Sequence, residues 1–130
     1  MNKCEEFMNL EDLDIDLGKL GKASVLPDFT EYETYLDLNE RILYLDFDIN
    51  DALVDYSRRI IRWNRQDRDI PVEERKPIKL LINSYGGSLD SCLHFIDTLL
   101  LSKTPVYTYN VGVAMSAGFY IMLAGSKRFA

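Results

Sequence analysis

Ile78-Lys79-Leu80-Leu81-Ile82-Asn83-Ser84-Tyr85-Gly86-Gly87-Ser88-Leu89 is the stretch on which the fold turns. Its opening run is almost continuously apolar, as in a strand buried on both faces. Two adjacent glycines then interrupt any regular element, and Leu89, Leu93, Ile96 and Leu100 follow at helical spacing with one apolar face. The same strand-then-helix order recurs on either side. Upstream, Arg41-Ile42-Leu43-Tyr44-Leu45-Asp46-Phe47 is a second apolar run. Asn50 and Asp51 then open a helix that carries Leu53, Val54, Ile60, Ile61 and Trp63 to about Asn64. The polar loop from Gln66 to Pro77 separates it from the first stretch, with Pro71 and Pro77 barring a continuous helix. Downstream, Pro105 to Val111 reads as a third strand, and Gly112 to Gly118 as a second tight passage into Phe119–Ala124, with Gly125 as the helix stop. Arg128-Phe129-Ala130 opens another strand. Strands separated by helices pair in parallel, so an α/β domain with a mainly parallel sheet is predicted over residues 39–130.

A chain of 130 residues suffices for one domain with its own core, with no metal or disulfide needed to hold it. Apolar residues at 47% against 28% charged exclude a wholly disordered chain. Cys4 and Cys92 lie far apart and form no CxxC pair, which argues against a zinc site or a disulfide framework and favours a reducing, cytoplasmic setting. Met1 to Glu6 lacks the basic start and apolar run of a signal peptide, and Val111–Gly125 is shorter than the roughly 20 residues a bilayer crossing needs. A soluble chain with no membrane partner is expected.

Charge is divided unevenly: residues 1–40 carry 11 acids and 3 bases, whereas the chain as a whole has a net charge of −6. Residues 1–38 read as an acidic extension, with a stripe at Leu10, Leu13, Leu17 and Leu20 interrupted by Gly18, Gly21 and Pro27. It either docks onto something such as a neighbouring subunit or forms a partly disordered leader. The acidic balance argues against nucleic acid as a partner. Arg58, Arg59, Arg62, Arg65 and Arg68 cluster, but Asp55, Asp67 and Asp69 interleave with them, which reads as a solvated helix face.

Both glycine turns fall at the carboxyl ends of predicted parallel strands, the usual binding crevice of α/β folds. Glycine lets a backbone approach closely, and a helix N-terminus adds free N–H donors and partial positive charge. Two such turns side by side could hold an oxyanion. Ser116, flanked by Ala114, Ala117 and Gly118, is either a nucleophile with room for a substrate carbonyl or an N-cap bonding to the backbone ahead of it. Gly86-Gly87 carries neither a Walker pattern nor GxGxxG, which disfavours a nucleotide site. Asp90, His94 and Asp97 share one helix face, as either an exposed polar surface or an acid–base or metal-binding group. His94 is the only histidine, and its place along the helix is poor for reaching Ser116. Cys92 reads as a small buried residue, and Lys127 as either an exposed lysine or a candidate base.

Ile82-Asn83-Ser84-Tyr85-Gly86-Gly87-Ser88, Ile96-Asp97-Thr98 and Gly112-Val113-Ala114-Met115-Ser116-Ala117-Gly118, at these intervals, resemble the Clp protease proteolytic subunit family. Glu40 to Leu45 is similar to that family's opening strand, and the resemblance covers about residues 39–130. It implies a Clp/crotonase-like fold, incomplete at its carboxyl end, and a serine endopeptidase subunit. Carried over by position, Ser116 is the nucleophile and the N–H groups of Gly87 and Ala117 form the oxyanion hole. The strand-like run Gly87-Ser88-Leu89 is then the edge against which an extended peptide lies, and Gly86 joins Ser88 and Leu89 as substrate-binding. The family's partners are an AAA+ unfoldase that spends ATP, unfolded protein substrates, and further copies of the subunit in a double heptameric ring. No cofactor and no metal on this chain are implied. Tyr85 departs from the family's usual proline, Met115 and Ala117 stand where alanine and methionine are typical, and Gln66–Pro77 is longer than usual. The resemblance puts the family's histidine and aspartate beyond Ala130, so the chain reads as an amino-terminal fragment, inactive alone and with apolar surface left uncovered. The alternatives are a catalytically silent ring or scaffold subunit, a Ser–Lys hydrolase of the signal-peptide-peptidase kind, and a crotonase-like acyl-CoA enzyme.

Overall fold

The structure, a computed structural model, describes residues 28–130. The leucine stripe from Leu10 to Leu20, and Cys4, lie outside them. The first element is helix α1 (Phe29–Asn39), capped by Asp28, whose carboxylate accepts from the Glu31 N–H at 2.9 Å. The expected boundary at residue 38/39 falls at the last turn of this helix, where Leu38 packs against the core.

A turn through Arg41, held at φ 58°, leads into β1 (Ile42–Leu45). Then follow α2 (Leu53–Gln66), a 3₁₀ turn at Val72–Glu74, β2 (Ile78–Ser84), α3 (Leu89–Leu101), β3 (Val106–Ala114), α4 (Ala117–Ala124) and β4 (Lys127–Phe129). The strands lie side by side in the order β1-β2-β3-β4, every neighbouring pair parallel, with Ile42 opposite Lys79, Ile78 opposite Val106 and Tyr107 opposite Lys127. The α/β fold with a parallel sheet is therefore as the sequence predicts.

The strands differ from expectation in burial and in length. β1 and β2 are sealed on one face only: Leu43, Leu45, Ile78, Leu80 and Ile82 are buried, while Tyr44 on the opposite face is 49% exposed. The sealed face meets Leu53, Ile60 and Trp63 of α2, Cys92, Phe95 and Leu99 of α3, and Ile121 and Met122 of α4 in one core. β1 stops at Leu45 rather than Phe47, because Asp46 and Phe47 turn to side chains instead of the ladder. Asn83 Nδ2 donates to Asp46 Oδ1 at 2.8 Å and Ser84 Oγ donates to the Phe47 carbonyl at 2.7 Å. β3 runs on through Gly112, Val113 and Ala114, which the glycine had suggested as a turn. The Val113 N–H donates to Asn83 Oδ1 at 3.0 Å, and a register shift after Ile82 pairs Ser84 with Ala114.

The arginine cluster of α2 is the solvated face expected, with one exception among its interleaved acids. Asp67 is buried. Its two carboxylate oxygens accept from both terminal nitrogens of Arg41, at 2.6 and 2.7 Å, and Thr104 Oγ1 donates to it at 2.9 Å. Arg41 also donates to the Lys76 carbonyl at 2.9 Å and stacks over Trp63. This bidentate pair ties together the start of β1, the end of α2, the approach to β2 and the approach to β3.

The Arg41 hydrogen bond holds the Asp67 carboxyl below its ordinary value. A group whose folded value is depressed stabilises the fold above its unfolded value and loses that contribution as pH falls through the folded one. Acidification below about pH 4 is therefore expected to lower the urea midpoint of the wild-type chain. Asp67→Asn should flatten that pH dependence, and Asp67→Ala should cost about 3–5 kcal/mol at neutral pH by leaving Arg41 unpaired. An unchanged acid slope in Asp67→Asn would remove Asp67 from this role.

Candidate active site

β2 and β3 are adjacent and parallel, so the turns leaving their carboxyl ends meet. At the first turn Gly86 has φ 111° and Gly87 φ 148°, conformations in which a Cβ is strained. Space forbids one as well. A Cβ on Gly86 would lie 2.8 Å from the Cβ of Ser116 and 3.1 Å from the Ala117 nitrogen, and a Cβ on Gly87 would collide with the main chain of Ile49. The backbone of Gly86 thus rests directly against the serine turn.

Ile49 forms a single parallel bridge with Gly87: its N–H donates to the Gly86 carbonyl and its carbonyl accepts from the Ser88 N–H, both at 2.8 Å. A residue bridged in this way turns its own N–H and C=O to the other side. The Gly87 N–H accordingly faces away from Ile49. Among the described residues neither it nor the Ala117 N–H has a hydrogen-bond acceptor.

Ser116 sits between the end of β3 and the first residue of α4 at φ 51°, ψ −123°. Among the described residues, only Ser116 and Arg41 have positive φ without being glycine. Ser116 is exposed, and its hydroxyl makes no capping hydrogen bond, which is what the N-cap alternative required. A sharp strand-to-helix turn of this kind lifts the side-chain oxygen clear of the backbone. It costs on the order of 1–3 kcal/mol and persists only where the surroundings over-determine it.

Those surroundings centre on two residues that the glycine motif overshadowed. Buried Ser84 donates through Oγ to the Phe47 carbonyl, accepts the Gly86 N–H at 3.2 Å, and offers its own carbonyl to the Met115 N–H at 3.0 Å. Gly118 packs close on that carbonyl, where a Cβ would come within 3.1 Å. Asn83 spans from Asp46 to Val113 and leaves no room for a side chain at Gly112. Neither role is visible in one sequence, because the bonds to Asp46, Phe47, Val113 and Met115 join residues more than 25 positions apart. Cys92, buried as expected, donates through Sγ to the Ala117 carbonyl at 3.3 Å and pins α4 to α3; burial pushes its thiol upward.

The remaining candidates lie elsewhere or take other forms. Ser88 caps α3, its Oγ accepting the Ser91 N–H, and Leu89 is the first residue of that helix. Only Gly87 of the expected strand-like run therefore pairs as a strand. His94 is exposed six residues into α3 and lines a shallow recess with Asn50, Asp51, Leu53, Val54, Asp90 and Ser91, a recess that Ser116 does not share. Asp97 is exposed on the same helix. Lys127 lies in β4 with Nζ 5.4 Å from the Tyr107 ring centroid. Among the described residues no three His, Cys, Asp or Glu side chains converge as a metal site would need, and no helix is long and apolar enough to cross a membrane.

Residues 31–130 match the model of the Clp protease family. The chain is 35% identical over 103 residues to ATP-dependent Clp protease proteolytic subunit 2 of Prochlorococcus marinus strain MIT 9312, covering 75% of this chain and 48% of that protein. It is 33% identical over 91 residues to proteolytic subunit 1 of Mycobacterium bovis, covering 69% of this chain and 42% of that protein. Among solved structures, ClpP1 from Listeria monocytogenes superposes with a TM-score of 0.60 at 26% identity, over 72% of this chain and 51% of that one. The ClpP protease catalytic domain from Plasmodium falciparum superposes with a TM-score of 0.66 at 24% identity, a likeness of fold, over 80% and 55%. The chain spans about half the length of the curated relatives it matches.

Two substitutions test the local physics. Ser84→Ala leaves the Gly86 N–H without its acceptor and is expected to cost about 1–3 kcal/mol in a urea titration. Ser116→Gly removes the Cβ from a disfavoured conformation. It is expected to raise the denaturation midpoint, worth about 1 kcal/mol once glycine's extra unfolded-state freedom is subtracted. A fall in the midpoint would mean that the serine turn carries no strain.

Proposed function

The chain belongs to the Clp protease family, and from that premise we propose that it carries the nucleophile and the oxyanion hole of a serine endopeptidase subunit. One observation carries the reading. Ser116 is exposed in a strained turn against Gly86, its hydroxyl makes no capping hydrogen bond, and the N–H groups of Gly87 and Ala117 have no acceptor among the described residues.

In this reading Ser116 Oγ attacks a peptide carbonyl carbon. The carbonyl oxygen takes up negative charge and is met by the N–H groups of Gly87 and Ala117, the latter at the positive end of α4. The amine leaves, and water then releases the acyl-enzyme. Gly86 stays side-chain-free so that the two turns can close on one oxygen. The substrate chain lies extended beside Gly87, whose outward N–H and C=O are the pairing edge, with Ser88 and exposed Leu89 flanking it. The hydroxyl proton needs an acceptor. His94 occupies a recess of its own, so the reading assigns the base and its orienting carboxylate to residues outside those described here.

No cofactor or metal on this chain enters these steps; ATP is spent by an unfoldase partner that delivers unfolded protein, and the setting is the cytoplasm. Assembly with further copies into rings is supported by an open apolar groove of about 410 Å³ between α3 and α4, lined by Leu89, Leu93, Leu100, Tyr120 and Leu123.

The test is fluorophosphonate labelling of the protein expressed from its whole reading frame. Wild type is expected to be labelled at Ser116. Ser116→Ala should abolish labelling and lower peptide hydrolysis by about 10³-fold or more. Labelling that survives the substitution would discard Ser116 as the nucleophile. A wild-type protein that forms rings yet takes no label would be a silent scaffold subunit.

A further inference from the structure

At the opposite end of the sheet from Ser116, the carboxyl ends of α2 and α3 enclose an open groove of about 480 Å³. Its apolar floor includes Ile61 and Leu101, which are 47% and 81% exposed. Its rim carries Arg65, Arg68, Arg75 and Lys103. The frame is well anchored: Asn64 of α2 donates to Ser102 Oγ at 2.8 Å and accepts the Lys103 N–H at 2.9 Å. Arg68 is near Asp69, and the Arg75 charge acts in part on buried Asp67, but Arg65 and Lys103 have no carboxylate within 4 Å among the described residues. The partial negative charge of the two helix ends is outweighed by these cations. The groove therefore asks for a ligand that is both acidic and apolar.

One segment of the chain has that composition. Glu5-Glu6-Phe7-Met8-Asn9-Leu10-Glu11-Asp12-Leu13-Asp14-Ile15-Asp16 holds six acids and no base, interleaved with Phe7, Leu10, Leu13 and Ile15. We propose that this run docks into the α2–α3 groove of its own chain, its carboxylates against Arg65 and Lys103 and its apolar side chains over Ile61 and Leu101.

The covalent path permits it. Lys76 Nζ donates to the Asn39 carbonyl at 3.3 Å, so the carboxyl end of α1 is tied beside Arg75 on the groove's rim. α1 is about 16 Å long over its 11 residues. The residues between Asp16 and Phe29 can span on the order of 40 Å when extended, more than enough to return. Tethering sets an effective concentration on the order of millimolar, so even a weak contact is populated. The surface takes no part in the reading of Ser116 and stands or falls separately.

The test is paramagnetic broadening in the full chain. A nitroxide is attached at Cys4, next to the acidic run; Cys92 is fully buried and does not compete for it. In low salt the amide signals of residues 60–65 and 98–103 are expected to drop several-fold against the reduced control. The drop should persist when the labelled chain is diluted with excess unlabelled chain. It should fade at about 0.5 M salt, where the screening length falls to a few ångströms. The exposed pair Arg65→Glu/Lys103→Glu should abolish it, whereas Arg58→Glu/Arg62→Glu, outside the groove, should leave it. If the reversed pair disturbs the fold, the salt series on wild type decides. Broadening absent from the groove, spread evenly over the chain, or lost on dilution (the mark of a second copy as occupant) would overturn the proposal.

Discussion

Two strand-to-helix turns can press their backbones together only if no side chain stands between them, and at Gly86 none does. The position that a Cβ would occupy there is within 2.8 Å of the Ser116 Cβ. From this one close approach the rest of the carboxyl end follows. Adjacent parallel strands bring the turns alongside, Ser84 holds both of them through its hydroxyl and its carbonyl, and Cys92 fixes the first residue of α4. Ser116 can then sustain a conformation that an isolated peptide would abandon, because its neighbours leave no alternative that keeps their own hydrogen bonds.

The amino end of the sheet solves a different problem. Four chain segments arrive there, and the residues that join them are charged. Arg41 and Asp67 meet with both terminal nitrogens on both oxygens, and Thr104 takes up a further lone pair. A buried ion pair earns little over an apolar core, but breaking one partner away is costly, so its effect is to hold four segments in one arrangement. The sheet thus runs from an ionic clamp to a pair of glycine turns, with the apolar core between them.

That core occupies one face. A parallel sheet usually has both faces covered, whereas here Tyr44 and Asn83 stay exposed, Lys79 and Leu81 are only half-buried, and an apolar groove opens between α3 and α4. The stretches that match this chain make up 48% and 42% of the two relatives.

Periodicity and glycine placement were enough to read the order of elements and the parallel sheet, since apolar runs, helical spacing and glycine breaks are local properties. They drew attention to Gly86 and Gly87 as a turn and to Ser116 by its small neighbours, but left Ser116 open between nucleophile and N-cap, and only the family resemblance gave it a role. Three matters were decided only by the folded chain. The contact between the glycine turn and the serine turn depends on β2 lying beside β3. The burial of Asp67, which looked like one more acid on a solvated helix, depends on Arg41 lying 26 positions earlier. The supporting bonds of Asn83 and Ser84 reach to Phe47 and Val113. Each joins residues distant along the chain, and a pattern read within a window of a dozen residues carries no record of what packs against it.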